Sequence, residues 1–296
     1  MAEASAPISW WDEAYCAADR IVLTARDLQI PGLRVFGWHD MKYAVPPLRP
    51  HFHEHSFEIV FVTKGNISFY VDQKEYSLYG GDAFLTFPDE IHHTNGIPMS
   101  VGEIFWMQLD VSQTNNFLYL NAQAADALLH MLLQLKQHCI RTDLNKITNA
   151  AKTLQHAILN TPLRNPFQIA NYVVTFLYLL LSYTSLTSLQ VSLDIVRACE
   201  YIDRHITEPL TLEEIAGVCC ISLPQFKAKF KAQVGVSPRS YINQEKIKRI
   251  KGILTRRSNL TEVAGDFGFC NSAYFSVVFK KYTAQTPTEY MASLPE

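Results

Sequence analysis

The sequence predicts an α+β protein with more than one domain: an N-terminal antiparallel β-barrel of the jelly-roll kind, helices that follow it, and a C-terminal all-α domain with two helix-turn-helix units. Short segments rich in β-branched and aromatic residues recur between residues 21 and 110. After residue 120 the apolar residues follow a helical period. Residues 211–290 contain one helical unit written twice. At 296 residues, two domains are the default expectation.

The C-terminal prediction starts from this internal repeat. Ile215-Ala216-Gly217 recurs 48 residues later as Val263-Ala264-Gly265. Five further positions recur 49 residues later, which fits a turn that is one residue longer in the second copy. These are Phe226, Phe230, Lys231, Pro238 and Tyr241, which recur as Phe275, Phe279, Lys280, Pro287 and Tyr290. Such a repeat indicates one supersecondary unit used twice.

Each copy has the pattern of two short helices joined by a tight turn. In the first copy, Thr211 and Glu214 have the spacing of a capping box, and Ser222 begins the second helix. We therefore predict helix-turn-helix units at about 211–232 and 260–282. The second helix of such a unit can enter the major groove of DNA.

Positive charge is concentrated around these units. Residues 221–257 contain ten Lys or Arg against one acid, Glu245, a formal charge of +9 in a chain whose net charge is −2. This asymmetry is typical of a surface that binds a polyanion. The alternative is a helical repeat whose basic surface is only solvated, and the coincidence of repeat, turn and charge favours DNA binding over it.

The predicted DNA contacts lie on the second helix of each unit and on the basic helix between the units. We expect Lys227 and Lys229, with Asn271, Ser272 and Ser276, near base edges or adjacent phosphates, and the other cations on phosphates. The complete predicted set is Ser222, Pro224, Gln225, Lys227, Ala228, Lys229, Lys231, Lys246, Arg249, Asn271, Ser272, Ala273, Ser276, Val277, Lys280 and Lys281.

The second copy resembles the signature of the AraC/XylS family of transcription regulators. The residues that carry the resemblance are Gly268-Phe269, Tyr274-Phe275, Phe279-Lys280-Lys281, Thr286-Pro287 and Tyr290. The chain departs from the family pattern at Ala228, Val277, Ala284 and Met291. Because Ala and Val can at most touch a thymine methyl group, the docking mode is carried over but the detailed base contacts are not.

The resemblance implies a cytoplasmic homodimer that binds double-stranded DNA, answers to a small-molecule effector and can meet RNA polymerase. It leaves activation and repression both open. The composition agrees with the cytoplasm, since the six cysteines show no paired framework and residues 1–16 lack the pattern of a signal peptide.

The N-terminal barrel is predicted from four strand-like segments at 57–65, 67–78, 79–88 and 101–110, with turns at Gly65-Asn66, Asp72-Gln73 and Gly80-Gly81. Together with HFHEHSFE at 51–58, they resemble the cupin barrel that serves many AraC-family regulators as effector domain. We expect a metal-free pocket for a small organic effector, for which a sugar suits aromatic walls and convergent polar groups. The pocket candidates are Trp38, His39, His53, His55, Glu58, Tyr70, His92 and Trp106.

Two alternatives stay open for the histidines. They could bind a metal through His53, His55, Glu58 and His92, or they could be surface residues. In a continuous strand His53 and His55 face one side and Glu58 the other, which argues against the metal. We therefore predict no metal and no cofactor.

The rest of the N-terminal half completes the domain plan. Residues 1–20 are predicted to be an arm, 21–110 the barrel, 111–183 a helical dimerisation segment, 184–192 a linker and 193–296 the DNA-binding domain. The apolar stretch at 171–183 raises the alternative of a membrane span, but it is short, so we favour a buried helix and no membrane.

Three functions compete on the sequence alone. The preferred one is a ligand-responsive, DNA-binding transcription regulator without catalytic activity. The others are a metal-dependent cupin enzyme with an appended helical domain, and a DNA-binding regulator that needs no effector. Metal analysis separates the second from the first, and a ligand screen separates the third.

Overall fold

The computed structural model describes residues 7–159, 165–184 and 192–294. The chain divides into two compact units. The N-terminal unit consists of Met1–Asp40, Pro47–Ile97 and Gly102–Leu189, and the C-terminal unit of Met41–Pro46, Pro98–Val101 and Gln190–Glu296. Most of the predicted linker, residues 185–191, lies outside the described residues.

The described residues of the N-terminal unit form strands and helices. Its strands are β1 (Ile8–Ser9), β2 (Tyr15–Cys16), β3 (Arg20–Thr24), β4 (Leu33–Met41), β5 (His51–Phe52), β6 (Ser56–Val71), β7 (Lys74–Tyr79), β8 (Asp82–Thr86), β9 (His92–His93), β10 (Gly102–Asp110) and β11 (Cys139–Arg141). Its helices are α1 (Ala25–Leu28), α2 (Ala122–Leu133), α3 (Leu144–Leu159) and α4 (Pro166–Ser182), with a 3-10 turn at Phe117–Tyr119.

Strand β6 organises the sheet. The strands follow the order β1-β5-β9-β6-β10-β4-β3-β2, with β7 and β8 also paired to β6 and β11 paired to β8. The described pairings are antiparallel except for β1 with β5. The strands curl into a half-barrel that is followed by helices, which confirms the predicted α+β layout.

A bend in β6 corrects the turn predicted at Gly65-Asn66. The strand runs through this point for 16 residues. Thr63 is an extra residue in the pairing with β10, because Lys64 pairs with Glu103 and Val62 with Ile104. Gly65 follows with a φ of 87°, which favours glycine. The bulge and the glycine let one strand leave β10 and pair with β7. The predicted turn at Asp72-Gln73 is confirmed.

The two faces of β6 have different surroundings. Phe57, Ile59 and Phe61 belong to the cluster that buries the inner faces of α2, α3 and α4. Phe61, for example, lies 4.6 Å from Phe176 between ring centroids. Because side chains alternate along a strand, Glu58 points to the opposite face. The helices therefore cover one side of the strands, and a polar group is buried on the other.

The predicted arm is part of this fold. The boundary at residue 20/21 falls inside β3, since Arg20 is its first residue. Strand β1 pairs with β5, and β2 pairs with β3. The guanidinium of Arg34 lies 3.5 Å from the ring centroid of Trp11. Residues 7–20 are thus fixed by pairing and stacking, whereas residues 1–6 lie outside the described residues.

The predicted helical segment at 111–183 contains α2, α3 and α4, but also strand β11, which pairs with β8. Helix α3 buries Ile147, Ala151, Leu154 and Ile158, which follow the helical period predicted after residue 120. Helix α4 buries seven side chains in the same cluster. Among residues 7–159, 165–184 and 192–294, no helix has the length and apolarity required to cross a membrane.

The C-terminal unit is helical. Its elements are α5 (Leu193–Arg204), α6 (Leu212–Val218), α7 (Leu223–Val234), α8 (Pro238–Ile253), α9 (Leu260–Asp266), α10 (Ser272–Thr283) and α11 (Pro287–Ser293). Helices α6 and α7 form the first helix-turn-helix and α9 and α10 the second. Helix α8 contacts both α7 and α10. We call α7 and α10 the recognition helices.

The two copies have the same internal geometry. In the first, Phe230 lies 5.4 Å from Phe226 and 5.5 Å from Tyr241 between ring centroids. In the second, Phe279 lies 5.6 Å from Phe275 and 5.5 Å from Tyr290 between ring centroids. The repeat found in the sequence is thus a repeat of packing.

The turns match as well, with unequal residues. Cys220 and Gly268 are equivalent, and both have a left-handed φ, 55° and 64°. At the ends of the recognition helices, Gly235 has a φ of 79° and Ala284 a φ of 64°. A left-handed conformation costs a residue with a side chain about 1–2 kcal/mol, so Ala284 is strained where its counterpart is not.

We expect Ala284→Gly to stabilise the C-terminal unit by about 0.5–1 kcal/mol, since relief of the strain exceeds the entropy that glycine adds to the unfolded chain. Ala232→Gly is the matched control, because Ala232 is exposed within α7 and the same change there should destabilise by roughly 1 kcal/mol. Denaturant unfolding followed by circular dichroism measures both. Equal destabilisation by the two variants would contradict the assignment.

Candidate functional sites

The recognition helices expose most of the side chains predicted to contact DNA. Exposed on α7 or at its start are Ser222, Pro224, Gln225, Lys227, Ala228 and Lys231; exposed on α10 or at its start are Asn271, Ser272, Ala273, Val277 and Lys280. Val277 is 66% exposed. Ser276 and Lys281 are half-buried. Each helix thus presents its predicted residues on one face and buries its phenylalanines on the other.

Polar side chains at the two helix starts also cap their own helices. The carboxamide oxygen of Gln225 accepts a hydrogen bond from the hydroxyl of Ser222 at 2.8 Å. The side-chain oxygen of Asn271 accepts one from the backbone N–H of Tyr274 at 2.7 Å. The Ser276 hydroxyl donates to the Ser272 carbonyl at 2.8 Å. These contacts position the residues at the ends that would face a groove.

Lys246 corrects the predicted phosphate contacts. Its side chain is buried, and its ammonium donates a hydrogen bond to the carbonyl oxygen of Phe267 at 2.6 Å. Phe267 is the C-cap residue that follows α9, so Lys246 satisfies a carbonyl at that helix end. Burial also lowers the pKa of Lys246. A buried ammonium of this kind stabilises the second helix-turn-helix and does not reach a phosphate.

Two other predicted cations are partly neutralised. Lys229 is half-buried and forms an ion pair with Asp194 at the start of α5, with 2.6 Å between ammonium nitrogen and carboxylate oxygen. Arg249 forms an exposed pair with Asp203 at 2.9 Å. The formal +9 therefore overstates the charge that the surface offers. Exposed cations of the region are Lys227, Lys231, Arg239, Lys248, Arg249, Arg256 and Arg257.

A second candidate site lies in the N-terminal unit, where four buried side chains converge: His51, His53, Glu58 and His92. One donor atom from each lies within 4.8 Å of the donor atoms of all the others. Glu58 is central, with one carboxylate oxygen 3.2 Å from Nε2 of His53 and the other 3.1 Å from Nε2 of His92. We call these residues the histidine cluster.

Strand pairing brings the members of the histidine cluster together. His51 on β5 lies directly opposite His92 on β9. Strand β9 also pairs with β6, which carries Glu58. His53 follows β5 directly, before the turn that leads into β6. The cluster is therefore a product of the sheet order.

Each imidazole of the histidine cluster is anchored through Nδ1 by a backbone carbonyl. The Nδ1–O distances are 2.7 Å for His51 with Arg49, 3.3 Å for His53 with Trp10, and 3.2 Å for His92 with Glu90. Since a carbonyl oxygen only accepts, each Nδ1 carries the proton. The three Nε2 atoms are then directed away from these anchors.

Burial and charge set the protonation of the histidine cluster. Burial alone would raise the pKa of Glu58, but the charge of His53 and hydrogen bonds from His53 and His92 hold it well below its usual range. Burial and the charge of His92 lower the pKa of His51 to about 4. Burial would lower the pKa of His53, but Glu58 raises it more. The carboxylate is therefore an anion that requires a cationic partner.

Two residues missed in the sequence complete the surroundings. The amide nitrogen of Gln108 lies 3.2 Å from Glu58 Oε1 and 2.7 Å from Asp12 Oδ2. Gln108 is opposite Glu58 in the β6–β10 register. Burial and the charge of Glu58 raise the pKa of Asp12. No sequence signal marked them, because both lie at least 46 residues from Glu58 along the chain.

Three of the predicted pocket residues lie outside the histidine cluster. His55 has a side chain that is 69% exposed, on a turn. Tyr70 alternates with the buried Phe69 and stacks on His93 at 5.7 Å. Trp38 packs against the cluster that buries the helices. None of the three is among the side chains that converge with Glu58.

Trp106 and His39 are the other two predicted pocket residues. Trp106 shares a strand face with Gln108, two residues further on, and therefore lies on the Glu58 side. Its ring covers Gly37, where any side chain would clash. His39 lies on β4 opposite Arg20 and is half-buried. Burial lowers its pKa.

The histidine cluster also explains why the sequence argument on strand faces was wrong. It treated residues 51–58 as one strand, in which His53 and Glu58 face opposite ways. The structure ends β5 at Phe52 and turns at Glu54 and His55, whose φ is 52°. The turn brings His51 and His53 to Glu58. The spacing of two residues between His51 and His53 is the sequence signal that could have identified these two histidines as a pair.

Two family models match the chain. One describes an AraC-like ligand binding domain and matches residues 31–169. The other describes a helix-turn-helix domain and matches residues 215–293. The two matches are separate in sequence; the first covers most of the N-terminal unit and the second lies within the C-terminal unit.

Curated relatives match about a third of the chain. The Bacillus subtilis bifunctional transcriptional activator/DNA repair enzyme AdaA is 36% identical over 92 residues, 31% of this chain and 44% of that protein. The Escherichia coli arabinose operon regulatory protein is 33% identical over 101 residues, 33% of this chain and 35% of that protein. The match therefore spans less than half the length of these relatives.

Among solved structures, the C-terminal domain of AraT, a response regulator from Geobacillus stearothermophilus, is 25% identical. The match covers 36% of this chain and 90% of that chain, with a TM-score of 0.34.

We expect Lys246→Met to destabilise the C-terminal unit by about 1–3 kcal/mol, because the Phe267 carbonyl loses its buried donor. Lys248→Met, on the exposed side of the same helix, is the control and should change stability by no more than about 0.5 kcal/mol. Denaturant midpoints measure both. If Lys246→Met left stability unchanged but weakened DNA binding, the original phosphate assignment would be restored.

Proposed function

We propose that this chain, which belongs to the AraC/XylS family, is a sequence-specific DNA-binding transcription regulator controlled by a small molecule in its N-terminal unit. The observation that carries the proposal is the repeated helix-turn-helix, in which two equivalent aromatic trios hold two exposed recognition helices. The proposal includes no catalytic activity.

Both recognition helices have the chemistry of a groove-binding element. Their starts carry hydroxyl and carboxamide groups able to hydrogen-bond base edges, and Lys227, Lys231 and Lys280 lie exposed further along the helices. Helix α8 contacts both, so the two are held in one unit. Two such helices can address successive major-groove segments about 34 Å apart. Ala228 and Val277 limit direct readout near the middle of each helix to apolar contact.

The effector is proposed to bind on the Glu58 side of the half-barrel. The match to an AraC-like ligand binding domain supports this location. Trp106 on this side is aromatic and Gln108 and Asp12 are polar, and of these Trp106 and Gln108 are buried in the free protein. A sugar or another hydroxylated molecule is the first class to screen. Effector binding would alter DNA affinity through a coupling free energy between the two sites.

A homodimer is proposed through the helices of the N-terminal unit. Large apolar side chains on α2 and α4 are exposed there: Met131, Leu133, Phe167 and Tyr178. Where such side chains form one contiguous patch, they mark a surface for a protein partner. RNA polymerase is the second proposed protein partner, and the cytoplasm is the proposed location.

DNA binding is tested with fragments selected by the purified full-length protein from random duplex DNA. We expect Lys227→Ala and Lys231→Ala each to weaken binding and to reduce the slope of log affinity against log salt by about 1, because each removes one phosphate contact. Fluorescence anisotropy at several salt concentrations measures this.

Lys152→Ala on α3 is the matched control, since it removes an equally exposed lysine from the N-terminal unit. It should leave affinity and salt slope unchanged. Unchanged slopes in both α7 variants, or an equal loss in the control, would contradict the proposed interface.

A further inference from the structure

We propose that His51, His53, Glu58 and His92 bind one divalent first-row transition-metal ion. The metal site goes beyond the proposed function and is independent of DNA binding. It revises the expectation of a metal-free pocket, which depended on the wrong pair of histidines.

The donor atoms of the four side chains converge on one small region. All four side chains are buried, and their donor atoms lie within 4.8 Å of one another. Metal–nitrogen and metal–oxygen bonds to such ions are about 2.0–2.2 Å long, so ligands on opposite sides of an ion lie roughly 4.0–4.4 Å apart. A contraction of a few tenths of an ångström would bring these atoms into a coordination sphere.

The positions of the protons on the imidazole rings also indicate a cation at the centre of the cluster. With Nδ1 protonated toward a carbonyl, a neutral imidazole has a lone pair at Nε2. Nε2 of His53 and Nε2 of His92 each lie within 3.2 Å of a Glu58 oxygen that is also only an acceptor. Such a contact holds only with a cation between the two atoms: either a second proton on the imidazole, which then donates to Glu58, or a metal ion in place of that proton. A metal ion at the centre satisfies both contacts and gives Nε2 of His51 the same partner.

The groups that hydrogen-bond to the proposed ligands also fit a metal site. Histidines that bind metals usually donate the other ring N–H to a carbonyl or carboxylate, which fixes the tautomer and the ring orientation. The three histidines here have this arrangement, with carbonyls from three separate segments at Trp10, Arg49 and Glu90. Gln108 donates to Glu58 and orients its carboxylate. The ligands are therefore positioned before an ion arrives.

The donor set identifies the class of ion. Three imidazole nitrogens and one carboxylate suit iron, manganese, cobalt, nickel, copper or zinc, whereas magnesium and calcium prefer oxygen ligands throughout. Three neutral imidazoles and one carboxylate also leave a divalent ion with a net charge of +1. Asp12, held by Gln108 beside Glu58, places a second carboxyl group close by.

The test starts with full-length protein stripped by a chelator and dialysed. Zn²⁺ and Co²⁺ are titrated separately, with stoichiometry measured by elemental analysis and Co²⁺ coordination by its visible absorption. We expect one ion per chain, a rise in the thermal midpoint and no response to Mg²⁺. X-ray absorption of the zinc form should show imidazole ligands, a readout that requires no variant.

His51→Gln and His92→Gln remove one ligand each and should weaken binding by more than the roughly 100-fold that loss of an outer-shell partner costs. His55→Gln is the matched control, since His55 lies two residues from His53 but is exposed. It should bind as the wild type does.

Three results would overturn the metal site. The first is a stoichiometry below one ion per chain. The second is a loss of binding in His55→Gln equal to that in the ligand variants. The third is an X-ray absorption spectrum without imidazole ligands. Because DNA binding is measured separately, failure of the metal site and failure of the regulator function are distinguishable.

Discussion

The packing of three aromatic rings in each helix-turn-helix is the constraint on which the proposed DNA interface depends. Phe230 packs against Phe226 on one side and Tyr241 on the other. The same contacts recur 49 residues later. The two phenylalanine rings of each trio occupy the buried face of the recognition helix, and the predicted DNA contacts lie on its other face. Because Tyr241 is on α8, the trio also attaches the first recognition helix to the helix that contacts the second.

The helical part of the fold was predictable because its signals are local. Capping residues, apolar period and the residues of the turns lie within one helix or its flanks, and Thr211, Asn271 and Gly268 act as their positions indicate. The charge was predictable as a count but not as a surface. Whether Lys246 reaches solvent depends on where Phe267 lies, 21 residues further along the chain.

The N-terminal site was less predictable, since it depends on non-local pairing. Gly65 looked like a turn, but in a sheet with a bulge at Thr63 it permits a bend in one continuous strand. His55 looked equivalent to His53 until the turn at residues 54–55 separated them. A periodicity of two assigns faces only within an unbroken strand. The buried Glu58 then gathers the imidazoles that neutralise it, because an unpaired buried carboxylate is strongly unfavourable.

The central claim is that both recognition helices of one chain contact the same side of a DNA duplex. Hydroxyl-radical footprinting of the full-length protein on a selected site measures this most directly. The account predicts two protected segments per chain, about one helical turn apart and on the same face of the duplex. A single protected segment per chain, or two segments on opposite faces, would contradict it.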